Sequence, residues 1–225
     1  MAALFCALAI ATTFIMHIKV VFLTFDAKDA IVTIAGLLFG PLYSIAISLV
    51  VSLIEFISLG ETGFWGFLMD FLSTAIFSTT CALIYKYKKN IKGAIIGLIA
   101  SIIAMTAFMI LFNLFIVPLY TPSYTTAAVA KMVPTLFLPF NLTKATLNAA
   151  IVLVLYKPSS IAMKAARVLP SSSLSYDSDT NLPPEQKRKK GITFSVVVTL
   201  AGLAIAALCF FVFFVLLDGN ITFWN

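Results

Sequence analysis

Residues 93–117 read GAIIGLIASIIAMTAFMILFNLFIV, a run without one charged side chain. A helix needs about 20 apolar residues to cross the roughly 30 Å of hydrocarbon in a bilayer, and a run of this kind has no stable place in water. The rest of the chain repeats the pattern. Of its 225 residues, 61% are apolar and only 11% are charged, whereas a soluble domain carries about 25% charged residues. Too little polar side chain is present to clothe a water-facing surface. The sequence therefore reads as an all-α integral membrane protein, which excludes a soluble enzyme domain and excludes disorder for most of the chain.

Apolar runs place spans near 2–16, 30–39, 41–58, 64–85, 93–117, 139–156 and 192–217. The second is short: about ten residues at about 1.5 Å each give roughly 15 Å. It must draw in residues from the preceding loop or be shielded by its neighbours. Gly40-Pro41 follows it, a pair that breaks a helix and supplies a tight turn, so 30–58 reads as a helical hairpin. Ala9-Ile10-Ala11 resembles a signal-peptide cleavage site, but no basic stretch precedes it, and the first span is kept as a helix. This gives a six-helix body over 1–158, a flexible basic cytoplasmic linker over 159–190, and an additional helix with a short external tail over 191–225. Removal of 170–225 is expected to leave ligand binding unchanged.

Sidedness follows from Lys and Arg. Segments 85–92 and 157–190 hold eleven of the fifteen basic residues, and both fall on one side; Lys19, Lys28, Lys131 and Lys144 fall on the other. The positive-inside rule makes the first side cytoplasmic, with the amino terminus inside and loops 17–29, 59–63 and 118–138 outside. The net charge of +6 thus reads as topology. No stacking aromatics interleave the basic clusters, so no nucleic-acid partner is expected. Cys6, Cys81 and Cys209 lie in apolar runs without metal-ligand spacing, which leaves them neither a metal nor a redox role. HExxH, GxSxG, GxxxxGK and GxGxxG are all absent. No catalytic residue and no cofactor are expected, and uphill movement would need energy from a partner chain or an ion gradient.

The informative residues are the ones that cost energy to keep. A charge at mid-span costs at least about 2.5–3.5 kcal/mol and an unpaired amide is costly there too, which singles out Glu55, Asp70, Asn113, Asn141, Lys144 and Asn148. Asn141, Lys144 and Asn148 are three and four apart, on one helix face. Phe22, Phe25, Phe64, Trp65, Phe137 and Phe140 crowd the same outward level. Aromatic walls with a few convergent polar groups are the ordinary form of a small-molecule site. Plainer roles stand beside this one: Lys144 snorkelling outward, Asn113 bonding between helices, Asp70 pairing with Lys144 or Lys131, Glu55 solvated near the surface, His17 at the interface. Ala3, Ala7 and Ala11 form a smooth ridge on the first helix, and Gly93, Gly97 and Ser101 repeat it on the fifth. Small residues at that spacing let helices approach closely. The alanine ridge suits a partner protein or internal packing equally; the glycine ridge favours internal packing.

Several stretches carry a resemblance: LTFDAKDAIVTIAGLLFGPL (23–42), FLMDFLSTAIF (67–77), KGAIIGLIAS with NLFIVPLY (92–101 and 113–120), and LPFNLTKATLNAAI (138–151). In order and spacing they resemble the substrate-binding (S) components of energy-coupling factor vitamin transporters, in their riboflavin-specific branch, over residues 1 to about 158. The resemblance implies a six-helix bundle in the bacterial cell membrane whose external loop closes over riboflavin, the transported ligand. It implies that Leu23, Thr24, Phe25 and Asp26 cover the ligand, with Asp29 at the helix start. Asn113 of the NxxxxPLY element, and Asn141 and Lys144 of the PFNxxK element, would hydrogen-bond the flavin ring and ribityl chain. Ala3, Ala7 and Ala11 would dock onto a transmembrane (T) subunit driven by two cytoplasmic ATPase subunits. Asp70 stands where the family pattern more often shows Asn, and the seventh helix lies outside the six-helix pattern. An S component for another vitamin, or a membrane scaffold whose polar groups only join helices, are the competing expectations.

Overall fold

The computed structural model describes residues 2–16, 18–20, 23–59, 63–89, 91–120, 123 and 125–165, with isolated positions at 200, 204, 207, 208, 211 and 222–223. Helix α1 (Ala2–Ile15) runs into an antiparallel ribbon of β1 (Ile18–Val20) and β2 (Leu23–Phe25). Helices α2 (Lys28–Phe39), α3 (Pro41–Leu59), α4 (Gly63–Tyr87) and α5 (Ile91–Tyr120) follow. A short α6 (Thr126–Met132) passes through a π-helical turn (Val133–Phe137) into α7 (Leu138–Ala165), and β3 (Thr222–Phe223) pairs with the free edge of β1. Pro41–Ser58, Gly63–Tyr87, Ile91–Leu119 and Thr126–Tyr156 are each long and apolar enough to cross a membrane; α1 is apolar but shorter.

The packing is inverted relative to a soluble bundle. Leu42, Ile57, Ile103, Phe115 and Leu119 are exposed, whereas Ser44, Ser48 and Ser52, spaced by four on α3, are buried with Thr74 and Ser78 of α4. Lipid gives apolar side chains no reason to hide, while polar groups must find partners inside the protein. The Ser48 and Ser78 hydroxyls accordingly donate to the carbonyls of Ser44 and Thr74, each at 2.6 Å.

Two glycines set helix positions. Gly40 ends α2 at φ +105°, a conformation that other residues reach only with strain, and Pro41 opens α3 directly after it. Gly97 of α5 lies against Cys81 of α4, where an added Cβ would sit 3.0 Å from the Cys81 carbonyl oxygen. The glycine ridge of α5 is therefore an internal packing surface.

Helices stand at each of the first six apolar runs, and among the described residues four of them are long and apolar enough to cross a membrane. Helix α2 starts at Lys28, so it does draw in loop residues. The stretch 118–138 is more than a loop: α5 continues through Pro118, and α6 and the π turn feed α7. Helix α7 continues through Pro158 to Ala165, into the stretch expected as linker. The remaining linker and the expected seventh span at 192–217 lie, apart from the isolated positions above, outside the described residues, as do His17 and Phe22.

Candidate functional site: a cavity above a buried charge cluster

The start of α2 is fixed by a side chain from another helix. Asn148 of α7 accepts from the Ala30 backbone N–H (3.0 Å) and donates to the Asp26 carbonyl (3.1 Å). It thus satisfies one of the orphan N–H groups at the helix start and ties the loop after β2 to α7. Asn148 is fully buried, so its role is positional.

Beneath this clasp lies a cluster of six charged side chains. Lys28, 1% exposed, donates to Glu55 of α3 and to Asp70 Oδ1 of α4 (2.6 Å), and lies 3.9 Å from Asp26 Oδ2. Lys144 of α7 donates to Asp26 Oδ2 (2.9 Å) and to the Thr24 carbonyl (3.3 Å), and stands 4.0 Å from Asp29 Oδ2. Hydroxyls complete the shell: Thr13 of α1 to Glu55 Oε1 (2.6 Å), Ser52 of α3 to Asp70 Oδ2 (2.6 Å), and Thr74 of α4 to Asp29 Oδ1 (2.7 Å). Five helices are joined in this way. Such a cluster survives in a low-dielectric interior only because each charge meets an opposite charge or a donor.

Above the cluster is a cavity of about 100 Å³, lined by Leu23 and Thr24 of β2, Met69, Asp70 and Ser73 of α4, Met109 and Asn113 of α5, and Phe140, Asn141 and Lys144 of α7. Asn113 spends its Nδ2 on the Met109 carbonyl (2.6 Å), and its buried Oδ1 has no hydrogen-bond partner. Asn141 donates to the Phe137 carbonyl (2.8 Å). An unpaired, buried acceptor on a residue that lines a polar cavity can take a donor from elsewhere.

Of the residues singled out from sequence, Leu23, Thr24, Asn113, Asn141 and Lys144 meet at this cavity. Phe25, Asp26 and Asp29 are buried and do not line it; Asp26 and Asp29 stand behind Lys144. Among the aromatics Phe140 lines the cavity, Phe137 belongs to a small separate cluster with Val117 and Val129, and Phe64 is exposed. Asp70 pairs with Lys28, rather than with Lys144 or Lys131. Glu55 is engaged by Lys28 and Thr13 rather than merely solvated. Lys28, Thr13 and Ser52 were not foreseen. A lysine next to a loop looks in sequence like any interfacial lysine, and single hydroxyls in an apolar run carry no signal. Ala3, Ala7 and Ala11 are exposed along one side of α1, whose opposite side buries Phe5, Ala9 and Thr13. Among the described residues no group of His, Cys, Asp and Glu side chains is arranged to hold a metal ion.

Membrane-length helices around a polar cavity roofed by a short ribbon define a multi-pass membrane protein. Comparison with known proteins narrows this class. The profile of the family "ECF transporter, substrate-specific component" matches residues 1–156, and the chain belongs to that family. It is 30% identical over 142 residues to the riboflavin transporter RibU of Staphylococcus aureus (strain TCH60), covering 60% of this chain and 74% of that one. It is 28% identical over 131 residues to the riboflavin transporter FmnP of Bacillus subtilis (strain 168), covering 55% and 69%. A solved structure of the S component of a bacterial ECF transporter superposes with a TM-score of 0.60 at 29% identity, over 72% of this chain and 95% of the other. The protein is thus a transporter component and not an enzyme.

Proposed function

We propose that this chain is a riboflavin-binding S component, which captures the vitamin in the cavity beneath the β1–β2 ribbon and releases it inward when docked to its energising partners. The observation that carries this reading is the convergence of Asn113, Asn141 and Lys144, from two helices, on one cavity with Leu23 and Thr24. The unpaired Asn113 Oδ1 is an acceptor for the ring N–H of a flavin or a ribityl hydroxyl, and Lys144 and Asn141 supply the complementary donors. At about 100 Å³ the cavity is smaller than the about 300–1,000 Å³ of sites that enclose ligands of this class. Its wall therefore moves on binding. The movable part is the ribbon, because the remaining walls are helices; Leu23, Thr24, Phe25 and Asp26 act as the cover, with Asp29 at the hinge into α2.

The energising partners are a transmembrane T subunit and two cytoplasmic ATPase subunits, with the exposed Ala3, Ala7 and Ala11 ridge as the docking face. The topology is six spans over 1–158, with the amino terminus cytoplasmic in a bacterial cell membrane, plus a seventh span. The pairing of β3 with β1 supports that last crossing. Helix α7 begins at the ribbon end, where Lys144 meets Thr24, and β3, which follows the expected seventh span in the chain, lies at that same end.

Riboflavin fluorescence tests the reading. The purified chain is expected to quench the fluorescence of added riboflavin. Asn113→Leu and Asn141→Leu should each weaken binding by roughly 5- to 100-fold, the effect of leaving a buried partner unpaired, with little change in thermal stability. Unquenched riboflavin, or variants that bind as tightly as the parent, would overturn it.

A further inference from the structure

The end of the bundle opposite the ligand cavity holds a second concavity, of about 370 Å³, between the α2–α3 corner and the last turns of α4. This lies within the about 300–1,000 Å³ range of small-molecule sites. Its α4 wall is Ala82, Tyr85 and Lys86, which share one helix face, with Lys89 just past the end of the helix. Across from them stand Phe39, Leu42 and Tyr43, of which Leu42 is 79% exposed. One wall is cationic and the other is continuous with the lipid-facing surface.

Charge identifies what fills it. No Asp or Glu occurs between Asp70 and Asp177. Among the described residues the four acidic side chains are Asp26, Asp29, Glu55 and Asp70, and all belong to the cluster at the other end of the bundle. No described carboxylate is therefore available to Lys86 or Lys89. We propose that this groove binds the headgroup of an anionic phospholipid. A phosphate between Lys86 and Lys89 neutralises both cations, and the attached acyl chain lies along Leu42 and the outer faces of α3 and α4. A soluble anion satisfies the lysines and leaves the apolar wall bare. Basic pockets between spanning helices at the cytoplasmic surface are suited to such headgroups.

The test is native mass spectrometry of the full chain released from nanodiscs containing equal phosphatidylcholine and phosphatidylglycerol. The parent should retain one phosphatidylglycerol in preference to phosphatidylcholine. Lys86→Gln with Lys89→Gln should lower that preference about tenfold or more, since each lysine at an anionic surface contributes about fivefold. Lys88→Gln with Lys92→Gln removes the same charge from the same end without touching the groove, and should keep the preference. Equal losses in the two pairs would reduce the effect to diffuse attraction and overturn the site, as would a parent that retains both lipids alike. Displacement of the retained lipid by excess inorganic phosphate would also overturn it, assigning the groove to a soluble anion. Unchanged riboflavin quenching by the Lys86/Lys89 variant shows that it is folded.

Discussion

Replacing Lys28 by Met keeps most of the aliphatic stem and removes the cation that three carboxylates share. Glu55 and Asp70 lose a direct partner, and Asp26 loses a charge at 3.9 Å. Breaking a buried ion pair from one side costs about 3–5 kcal/mol, because the surviving charge remains buried without compensation. Here the Asp70 side chain is 25% exposed and that of Glu55 12%, so solvent reaching them relieves part of the penalty. The lower end, about 3 kcal/mol, is the expected cost. In a chain of this size each kcal/mol moves the melting temperature by about 2–4 °C, giving a drop of roughly 6–12 °C. The Cys81 thiol, fully buried between α4 and α5, reports unfolding when heating exposes it to a maleimide dye in detergent. Lys28→Met combined with Glu55→Gln and Asp70→Asn leaves hydrogen-bonding groups and no stranded charge, and should recover most of the loss. A single variant that melts with the parent would refute the burial argument. A triple variant that melts below the single one would refute the assignment of the cost to uncompensated charge.

Other residues give sharper separations of role. Ala7→Leu on the exposed side of α1 should leave riboflavin quenching intact while abolishing uptake into cells; loss of both would place the ridge inside the fold. Gly97→Leu drives a side chain into the Cys81 backbone and should destabilise by about 1–3 kcal/mol, read as early Cys81 labelling on heating. Asn148→Leu strands the Ala30 N–H and the Asp26 carbonyl, each worth about 1–3 kcal/mol when left unpaired; a parental melting curve would refute the clasp. Because β3 pairs with β1, which pairs in turn with β2, removal of 170–225 is now expected to speed riboflavin release, by about threefold to tenfold for one or two lost hydrogen bonds. Stopped-flow quenching measures this, and an unchanged release rate would show that the tail strand carries no load.

The four long apolar helices were legible because crossing a bilayer demands length and apolarity, and Gly40-Pro41 marked the corner between α2 and α3. The convergence of Asn113 with Asn141 and Lys144 was legible for a related reason: expensive groups at one depth have few places to go. What stayed hidden was partner choice. Asp70 lies 42 residues from Lys28 and 74 from Lys144 in the chain, and nothing in composition says which one it meets. Glu55 near a helix end looks solvated until Thr13 and Lys28 are seen to enclose it. The three-residue strands and the π turn are equally silent, since they are set by how the chain enters α2 and α7 and not by any local periodicity.

Asp70 is where the stability of the bundle and the chemistry of the cavity meet. It lines the cavity and at the same time holds Lys28 and Ser52. An Asn at this place would leave Lys28 with Glu55 and the more distant Asp26. The acidic residue thus lets a fully buried lysine stand at the junction of α2, α3 and α4. The cluster gathers four acidic side chains around two lysines, and one member of each kind, Asp70 and Lys144, also lines the cavity. The cavity thus offers both an acceptor and a donor to a polar ligand. The same sorting leaves the opposite end of the bundle with lysines and no described acid, so each end asks its surroundings for a different chemistry.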